Sequence, residues 1–229
     1  MPNVVAVVVA AGSGTRLGGE GPKALRDVAG APLVVHALAA LAAGGVSFAV
    51  VVVPALRRTD FERALAAAPL PHRTVVGGAE RQQSVLAGLE AVAAGTRIVL
   101  VHDAARPFVP APVVQRVIDA VRAGADAVIP VLPVVDTVRQ VTGETSVVLE
   151  RTSLRAVQTP QGFNLDVLLA SHHAALAAGL AATDDARVCE FAGHPVTLVE
   201  GHREAFKVTE PIDLALAEAL AASRTGVSR

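Results

Sequence analysis

At 229 residues the chain is long enough for one large α/β domain with a full core, or for a domain and an appendage. Its 20 Lys and Arg against 21 Asp and Glu leave a formal charge of −1, so no global field recruits nucleic acid or a membrane surface. The single cysteine, Cys189, excludes an intrachain disulfide and a cysteine zinc site, and a reducing, cytoplasmic setting is expected.

Apolar residues make up 52% of the chain, which raises the question of a membrane span. Ala31 to Leu56 is long enough and carries no charge at neutral pH. Gly44-Gly45 divides it, however, into a helix-like segment and the β-branched run VSFAVVVV, so a buried helix followed by a strand is expected. The apolar run at the N-terminus has no basic stretch before it, so no secretory signal is expected.

The first strand is expected over Val4–Val9, and it runs into a glycine-rich loop that carries Arg16 and Lys23 and no acid before Glu20. Glycines let a ligand approach the backbone N–H groups closely, and the two cations add positive charge, so the loop suits a nucleoside triphosphate. A Walker A loop is excluded, because Lys23 follows Pro22 and precedes Ala24. A dinucleotide fingerprint is excluded as well: Leu17 stands where the third glycine belongs, and no ribose-binding acid follows Val50–Val53. Gly12, Gly14, Arg16 and Lys23 fit a nucleotidyltransferase loop instead.

Further valine-rich runs at Phe48–Val53, Ile98–Val101 and Ala127–Val131 are continuous rather than alternating, which predicts strands buried on both faces of a mainly parallel sheet. Helices are expected over Pro32–Ala43, Thr59–Ala68, Glu80–Ala93, Pro112–Ala123, Leu165–Ala178, Asp184–Phe191 and Pro211–Ala222. Thr209 is the expected N-cap of the last, with Pro211 in its first turn. Val134–Leu154 breaks this rhythm: two β-prone runs flank a turn at Gly143, which predicts a hairpin. Such a ribbon is marginal alone and wants another surface, either a second subunit or its own site, over which it would lie as a lid.

Several short motifs carry chemistry. His102-Asp103-Ala104-Ala105-Arg106-Pro107 follows a strand, and the carboxyl ends of strands are where open α/β sheets bind ligands. Asp103 can hold Mg²⁺ or a ribose hydroxyl, and Arg106 can take a phosphate with its planar fork; a surface Asp–Arg pair that caps a turn is the alternative. Gly77-Gly78 before a helix admits a flat ligand edge, with Ser84 able to donate or accept toward a base, unless the pair is simply a tight turn. Thr183 before Asp184 and Asp185 reads as a helix N-cap with two acids favoured by the dipole. Lys207, between Phe206 and Val208, sits in a β-like run as either a site cation or a snorkelling edge lysine. The seven histidines show no metal spacing, and no Gly-x-Ser-x-Gly appears.

Taken together, AAGSGTRLGGEGPKAL, GGAERQQSVLAGL, HDAARPF, DTV, RTSLRAVQTPQGF, TDDA and FKVTEPIDL resemble the 2-C-methyl-D-erythritol 4-phosphate cytidylyltransferases of the non-mevalonate isoprenoid pathway, in order and over nearly the whole chain. The resemblance implies a single Rossmann-like nucleotidyltransferase domain over residues 1–229, with a mainly parallel sheet, helices on both faces and a protruding β-hairpin arm at 134–154 that joins a homodimer. It implies CTP and 2-C-methyl-D-erythritol 4-phosphate as substrates and Mg²⁺, or another divalent cation, as cofactor, with Asp103 its candidate protein ligand. Backbone at Ala10, Ala11, Gly12 and Gly14 would contact the nucleotide, and Gly78 and Ser84 the cytosine. Arg16, Lys23 and Lys207 would neutralise the triphosphate and, with Asp103, form the catalytic set. Asp103, Arg106, Thr137, Thr159 and Thr183 would line the polyol phosphate site, and Arg151 would enter it from the partner subunit. Ala79 departs from the pattern, since some relatives carry an acid there; contacts from the backbone to the base do not need it. A ribitol 5-phosphate cytidylyltransferase shares the loop and an HDxxRP-like motif, but Ala105 and RTSLRAVQTPQ favour the erythritol enzyme. A regulatory module without turnover would tolerate loss of some of Arg16, Lys23, Asp103 and Lys207, all of which are intact.

Overall fold

Valine and isoleucine keep few rotamers, and a strand covered on both faces rewards that stiffness with burial. The computed structural model, which describes residues 4–12 and 21–224, turns each valine-rich run into such a strand. In chain order the first elements are β1 (Val4–Val9), the two-residue strands β2 (Asp27–Val28) and β3 (Ala31–Pro32), α1 (Leu33–Ala43), β4 (Phe48–Val53), α2 (Arg58–Leu65), β5 (His72–Val76) and α3 (Arg81–Glu90). They continue with β6 (Ile98–Asp103), α4 (Ala111–Arg122), β7 (Ala127–Pro133), β8 (Arg139–Thr142), β9 (Thr145–Val148), β10 (Arg155–Val157) and β11 (Gln161–Asn164). The chain then forms α5 (Leu165–Ala177), α6 (Asp185–Phe191), β12 (Val196–Glu200) and α7 (Pro211–Arg224).

Eight strands form the main sheet in the order β10-β7-β11-β6-β1-β4-β5, with β12 on β7. Neighbours of β1 run parallel to it on both sides: Val7 stands opposite Val50 of β4 and Val101 of β6. Alternate residues of β1 feed two cores. Val4, Ala6 and Val8 pack with α1, α2 and α4 side chains such as Leu38, Phe61 and Val114, whereas Val5 and Val7 pack with Val85, Leu89, Leu168 and Cys189. Helices therefore cover both faces, as the unbroken apolar strands require. Gly45, at φ +96°, separates α1 from β4, so the long uncharged run is a helix–strand pair. Among the described residues no helix is long and apolar enough to cross a membrane.

Four details differ from the sequence reading. Strand β11, which no valine-rich run marks in the sequence, stands between β6 and β7 and is antiparallel to both. Asp184 rather than Thr183 caps α6, its carboxylate accepting from the Arg187 N–H. At α7 the first turn is closed backwards by Asp213, which accepts from the N–H groups of Thr209 and Glu210, and Thr209 is not the cap. Lys207 lies in an irregular segment after a 3₁₀ turn at Arg203–Ala205 and belongs to no strand.

The hairpin forms as expected, with β8 and β9 paired from Arg139–Val148 to Thr142–Thr145 around Gly143 at φ +58°. It makes a two-stranded sheet of its own and leaves Val141, Val147 and Val148 at 71%, 59% and 57% exposure. Arg151 follows it in a 3₁₀ turn rather than on the return strand.

Gly88 lets α3 lie close on the sheet, since a Cβ there would come within 2.4 Å of a Val7 methyl and 2.9 Å of one on Val52. Gly88→Ala is expected to lower stability by about 1–3 kcal/mol through this overpacking. Urea unfolding checks it, and an unchanged midpoint would show that α3 can lift off the strands freely.

Candidate active site

The cavity arises where the parallel strands stop. Ala10 donates its N–H to Val52 O at 2.8 Å and Ala104 donates to Val9 O at 3.1 Å, so the ends of β4, β1 and β6 are held side by side as the chain leaves the sheet. Val208 donates to Ala105 O at 2.8 Å and brings the segment carrying Lys207 over the same edge. The resulting cavity of about 320 Å³ has Ala10, Ala11, Gly12 and Gly78 as a small-residue wall, with Lys23, Arg81, Ser84, Asp103, Lys207 and Thr209 also lining it.

The wall beside α3 needs its glycines. A Cβ on Gly77 would stand 2.7 Å from Ser84 Oγ, and one on Gly78 would stand 2.5 Å from Gln83 Cβ. Glu80 and Gln83 form a reciprocal capping box that fixes the helix start, with Gln83 Oε1 accepting from the Ala79 and Glu80 N–H groups at 3.0 and 3.2 Å. Ser84 is buried, and its hydroxyl donates to Gly78 O at 3.4 Å.

Asp103 ends β6 with a side chain only 13% exposed. Lys207 Nζ donates to its Oδ2 at 2.7 Å, and Arg81 Nε stands 3.9 Å from Oδ1. Burial pushes this carboxyl up, but Lys207, Arg81 and Arg106 outweigh that and hold it down at about 2. Arg81 was not singled out in the sequence; its only signal there was its place one residue into the helix that follows Gly77-Gly78. It also donates to Asp185 Oδ2 at 2.7 Å. Burial lowers the Arg81 pKa, yet Asp185 and Asp103 raise it more.

Beneath Asp103 runs a hydrogen-bond chain whose direction is fixed by its ends. The Arg106 carbonyl can only accept, so His102 Nε2 carries the proton of the 3.1 Å contact to it. His102 Nδ1 therefore accepts from the Thr159 hydroxyl at 3.0 Å, and Thr159 Oγ1 accepts from the Asp103 N–H at 3.1 Å. Thr159 is buried and commits its one hydroxyl proton to the imidazole. Arg106, by contrast with the phosphate fork expected of it, donates Nη1 to Ala205 O at 2.7 Å and Nη2 to Val157 O at 3.3 Å. It does not line the cavity and ties the segment before Lys207 to β10.

The structure thus brings together Ala10, Ala11, Gly12, Lys23, Gly78, Ser84, Asp103 and Lys207, with Thr159 directly behind Asp103. It does not bring in Thr137 or Arg151, both exposed at the hairpin, where Arg151 donates to Val135 O at 2.7 Å. Thr183 is exposed just before α6 and does not line the cavity either. Gly14 and Arg16 lie outside the described residues.

A mainly parallel α/β sheet that ends in a glycine-walled, cation-lined cavity defines a nucleotide-binding enzyme of the nucleotidyltransferase class. The chain belongs to the 2-C-methyl-D-erythritol 4-phosphate cytidylyltransferase family, whose model matches residues 4–223. It is 50% identical over 232 residues to the enzyme of that name from Streptomyces avermitilis, covering 96% of this chain and 92% of the relative. It is also 49% identical over 220 residues to the one from Deinococcus radiodurans, covering 96% and 90%. The crystal structure of the Thermus thermophilus enzyme superposes with a TM-score of 0.80 at 41% identity, covering 96% of this chain and 98% of that one. A 4-diphosphocytidyl-2C-methyl-D-erythritol synthase from Anaerococcus prevotii superposes with a TM-score of 0.84 at 26% identity, with the same coverage.

His102 generates a pH prediction. Burial depresses its pKa from 6.5 to about 4, so the unfolded chain binds a proton that the folded chain refuses between those values. Its contribution is complete above pH 6.5 and falls as pH drops toward 4. Between pH 7 and 5 the wild type is expected to lose about 2 kcal/mol more than His102→Asn. Urea unfolding of both at the two pH values checks this, and parallel losses would contradict a buried neutral imidazole.

Proposed function

We propose that the chain transfers CMP from CTP to 2-C-methyl-D-erythritol 4-phosphate and releases pyrophosphate. The observation that carries this reading is the Lys207–Asp103 pair at 2.7 Å, which lines one cavity with Lys23 and the glycine wall. The polyol phosphate oxygen attacks the α-phosphorus of CTP in line. A new P–O bond forms as the bond from the α-phosphorus to the bridging oxygen breaks, and the electron pair leaves on pyrophosphate. Little covalent work falls to the protein, so positioning and charge neutralisation dominate. Lys23 and Lys207 supply that charge from the described part of the cavity, and the motif around Arg16 supplies a third cation by resemblance. Gly78 and Ser84 are read as the groups that meet the base edge, and Asp103 as the one that meets the polyol.

Magnesium fits this cavity as a companion of the triphosphate. Among the described residues no group of three or more His, Cys, Asp or Glu is gathered to cage an ion. One carboxylate, Asp103, with phosphate oxygens and several waters is the usual donor set for Mg²⁺. When bound, the ion adds positive charge at the phosphate oxygens.

The hairpin is read as the arm of a homodimer. A lone two-stranded ribbon is marginally stable, and this one exposes Val135, Val141, Val147 and Val148. Arg151, Thr137 and Thr183, which a single chain leaves outside the cavity, are read as groups that complete the polyol phosphate site, Arg151 across the interface. The single buried cysteine suits a cytoplasmic enzyme.

Purified protein is expected to release pyrophosphate with CTP and 2-C-methyl-D-erythritol 4-phosphate, and not when ATP or GTP replaces CTP or ribitol 5-phosphate replaces the polyol. Equal release with ribitol 5-phosphate would reassign the substrate. Lys23→Ala is expected to cut turnover about 10²–10³-fold with the fold intact. Mixing inactive Lys23→Ala and Arg151→Ala chains is expected to restore activity, because one site of each heterodimer has both wild-type groups. A mixture that exchanges subunits and stays inactive would remove Arg151 from its partner's site.

A further inference from the structure

Behind the cavity wall, a chain of polar contacts runs from solvent to core. Lys207 holds Asp103 Oδ2 at 2.7 Å; Arg81 stands 3.9 Å from Asp103 Oδ1 and 2.7 Å from Asp185 Oδ2; Asp185 Oδ1 accepts from His172 Nε2 at 3.2 Å. Four of the five come from different elements, β6, α3, α6 and α5, and Lys207 comes from the segment before α7. Asp185 is 1% exposed and His172 is equally buried, so the far end of the chain is fixed in the core while the near end faces the cavity.

The two Arg81 contacts are unequal. The contact to Asp185 is a short charge-assisted hydrogen bond, and the one to Asp103 is too long to be a hydrogen bond. Arg81 is therefore drawn away from Asp103. The consequence falls on Oδ1: among the described residues it accepts no hydrogen bond, although it belongs to an ionised carboxylate at the cavity wall. An arginine within reach of a carboxylate ordinarily closes on it with both prongs of its fork, and a bidentate pair here would occupy Oδ1. Asp185 prevents that closure. Breaking this restraint also leaves a buried charge without its partner, so Arg81 would be driven to the nearest remaining carboxylate, which is Asp103.

We infer that Asp185, steadied by His172, is a positioning residue that withholds Arg81 from Asp103 and so keeps Oδ1 open to accept a hydroxyl of the polyol substrate. The inference rests on the cytidylyltransferase reading for the identity of that substrate. The restraint itself is a property of the folded chain.

A crystal structure of Asp185→Asn tests the restraint without any substrate. Arg81 is expected to move from 3.9 Å to hydrogen-bond distance, about 2.9 Å, from Asp103 Oδ1, and an unmoved guanidinium overturns the inference. Kinetics test the consequence. Asp185→Asn is expected to raise KM for 2-C-methyl-D-erythritol 4-phosphate about 10²-fold, the scale of a misplaced contact group, with KM for CTP within a few-fold. Removing the intruding side chain as well, in Asp185→Asn/Arg81→Met, is expected to bring back most of that loss. A merely structural Asp185 would make the double variant no better than the single one, and that result overturns the inference. If Asp185→Asn does not fold, His172→Leu loosens the same carboxylate while leaving its charge; it must raise KM for the polyol severalfold, and an unchanged KM overturns the inference. Absence of pyrophosphate release by the wild type would instead overturn the substrate assignment, leaving the crystallographic result to decide the restraint.

Discussion

An ionised carboxylate, Asp103, stands in a cavity that Lys23, Arg81 and Lys207 line as for a polyanion, and the site is arranged around that contradiction. Asp103 would repel a triphosphate if its charge were bare. Lys207 neutralises it from one side and Arg81 from the other, and its backbone N–H is held from below by Thr159 and His102. Burial pushes the carboxyl pKa up, and Lys207, Arg81 and Arg106 pull it down to about 2, so it stays an acceptor at any physiological pH. The same cations leave the cavity positive enough for phosphate. One carboxylate thus fixes the position of groups from β6, α3 and the segment before α7.

The sheet supplies the rigidity this needs. Asp103 is the last residue of a strand buried in the middle of eight, flanked by β1 and β11. Its backbone cannot shift without disturbing both apolar cores. Gly77, Gly78 and Gly88 bring α3 close enough that Ser84 and Arg81 reach the strand ends. The hairpin is the opposite case: it is held by one strand pair and exposes Val141, Val147 and Val148.

Much of this was legible in the sequence, for physical reasons that also mark where legibility stops. β1 and β4 follow the residues Val4–Val9 and Phe48–Val53 because a continuous branched apolar run has few other homes. Lys23, Gly78, Ser84 and Asp103, which line the cavity, stand near a glycine turn or a strand end in the sequence, whereas Lys207 stands out there only as a cation between Phe206 and Val208. β11 was missed because Gln161–Asn164 is short and polar, and only its partners β6 and β7 make it a strand. Arg106 looked like a phosphate ligand because sequence cannot tell which acceptors surround an arginine; the Ala205 and Val157 carbonyls are distant in the chain. Arg81 was passed over for the same reason, since Asp185 and His172 lie far along the sequence.

The most direct test of the central claim is Asp103→Asn, a change of charge with almost no change of shape. CTP affinity would be measured by calorimetry without a divalent cation, so that loss of a carboxylate ligand to Mg²⁺ does not enter, and pyrophosphate release with Mg²⁺ on the same folded preparation. With the carboxylate as the polyol acceptor amid compensating cations, CTP should bind at least as tightly as to wild type, because a negative charge has left the cavity, while kcat/KM for the polyol phosphate falls about 10²–10³-fold. Weakened CTP binding with an unchanged dependence on the polyol would contradict the account.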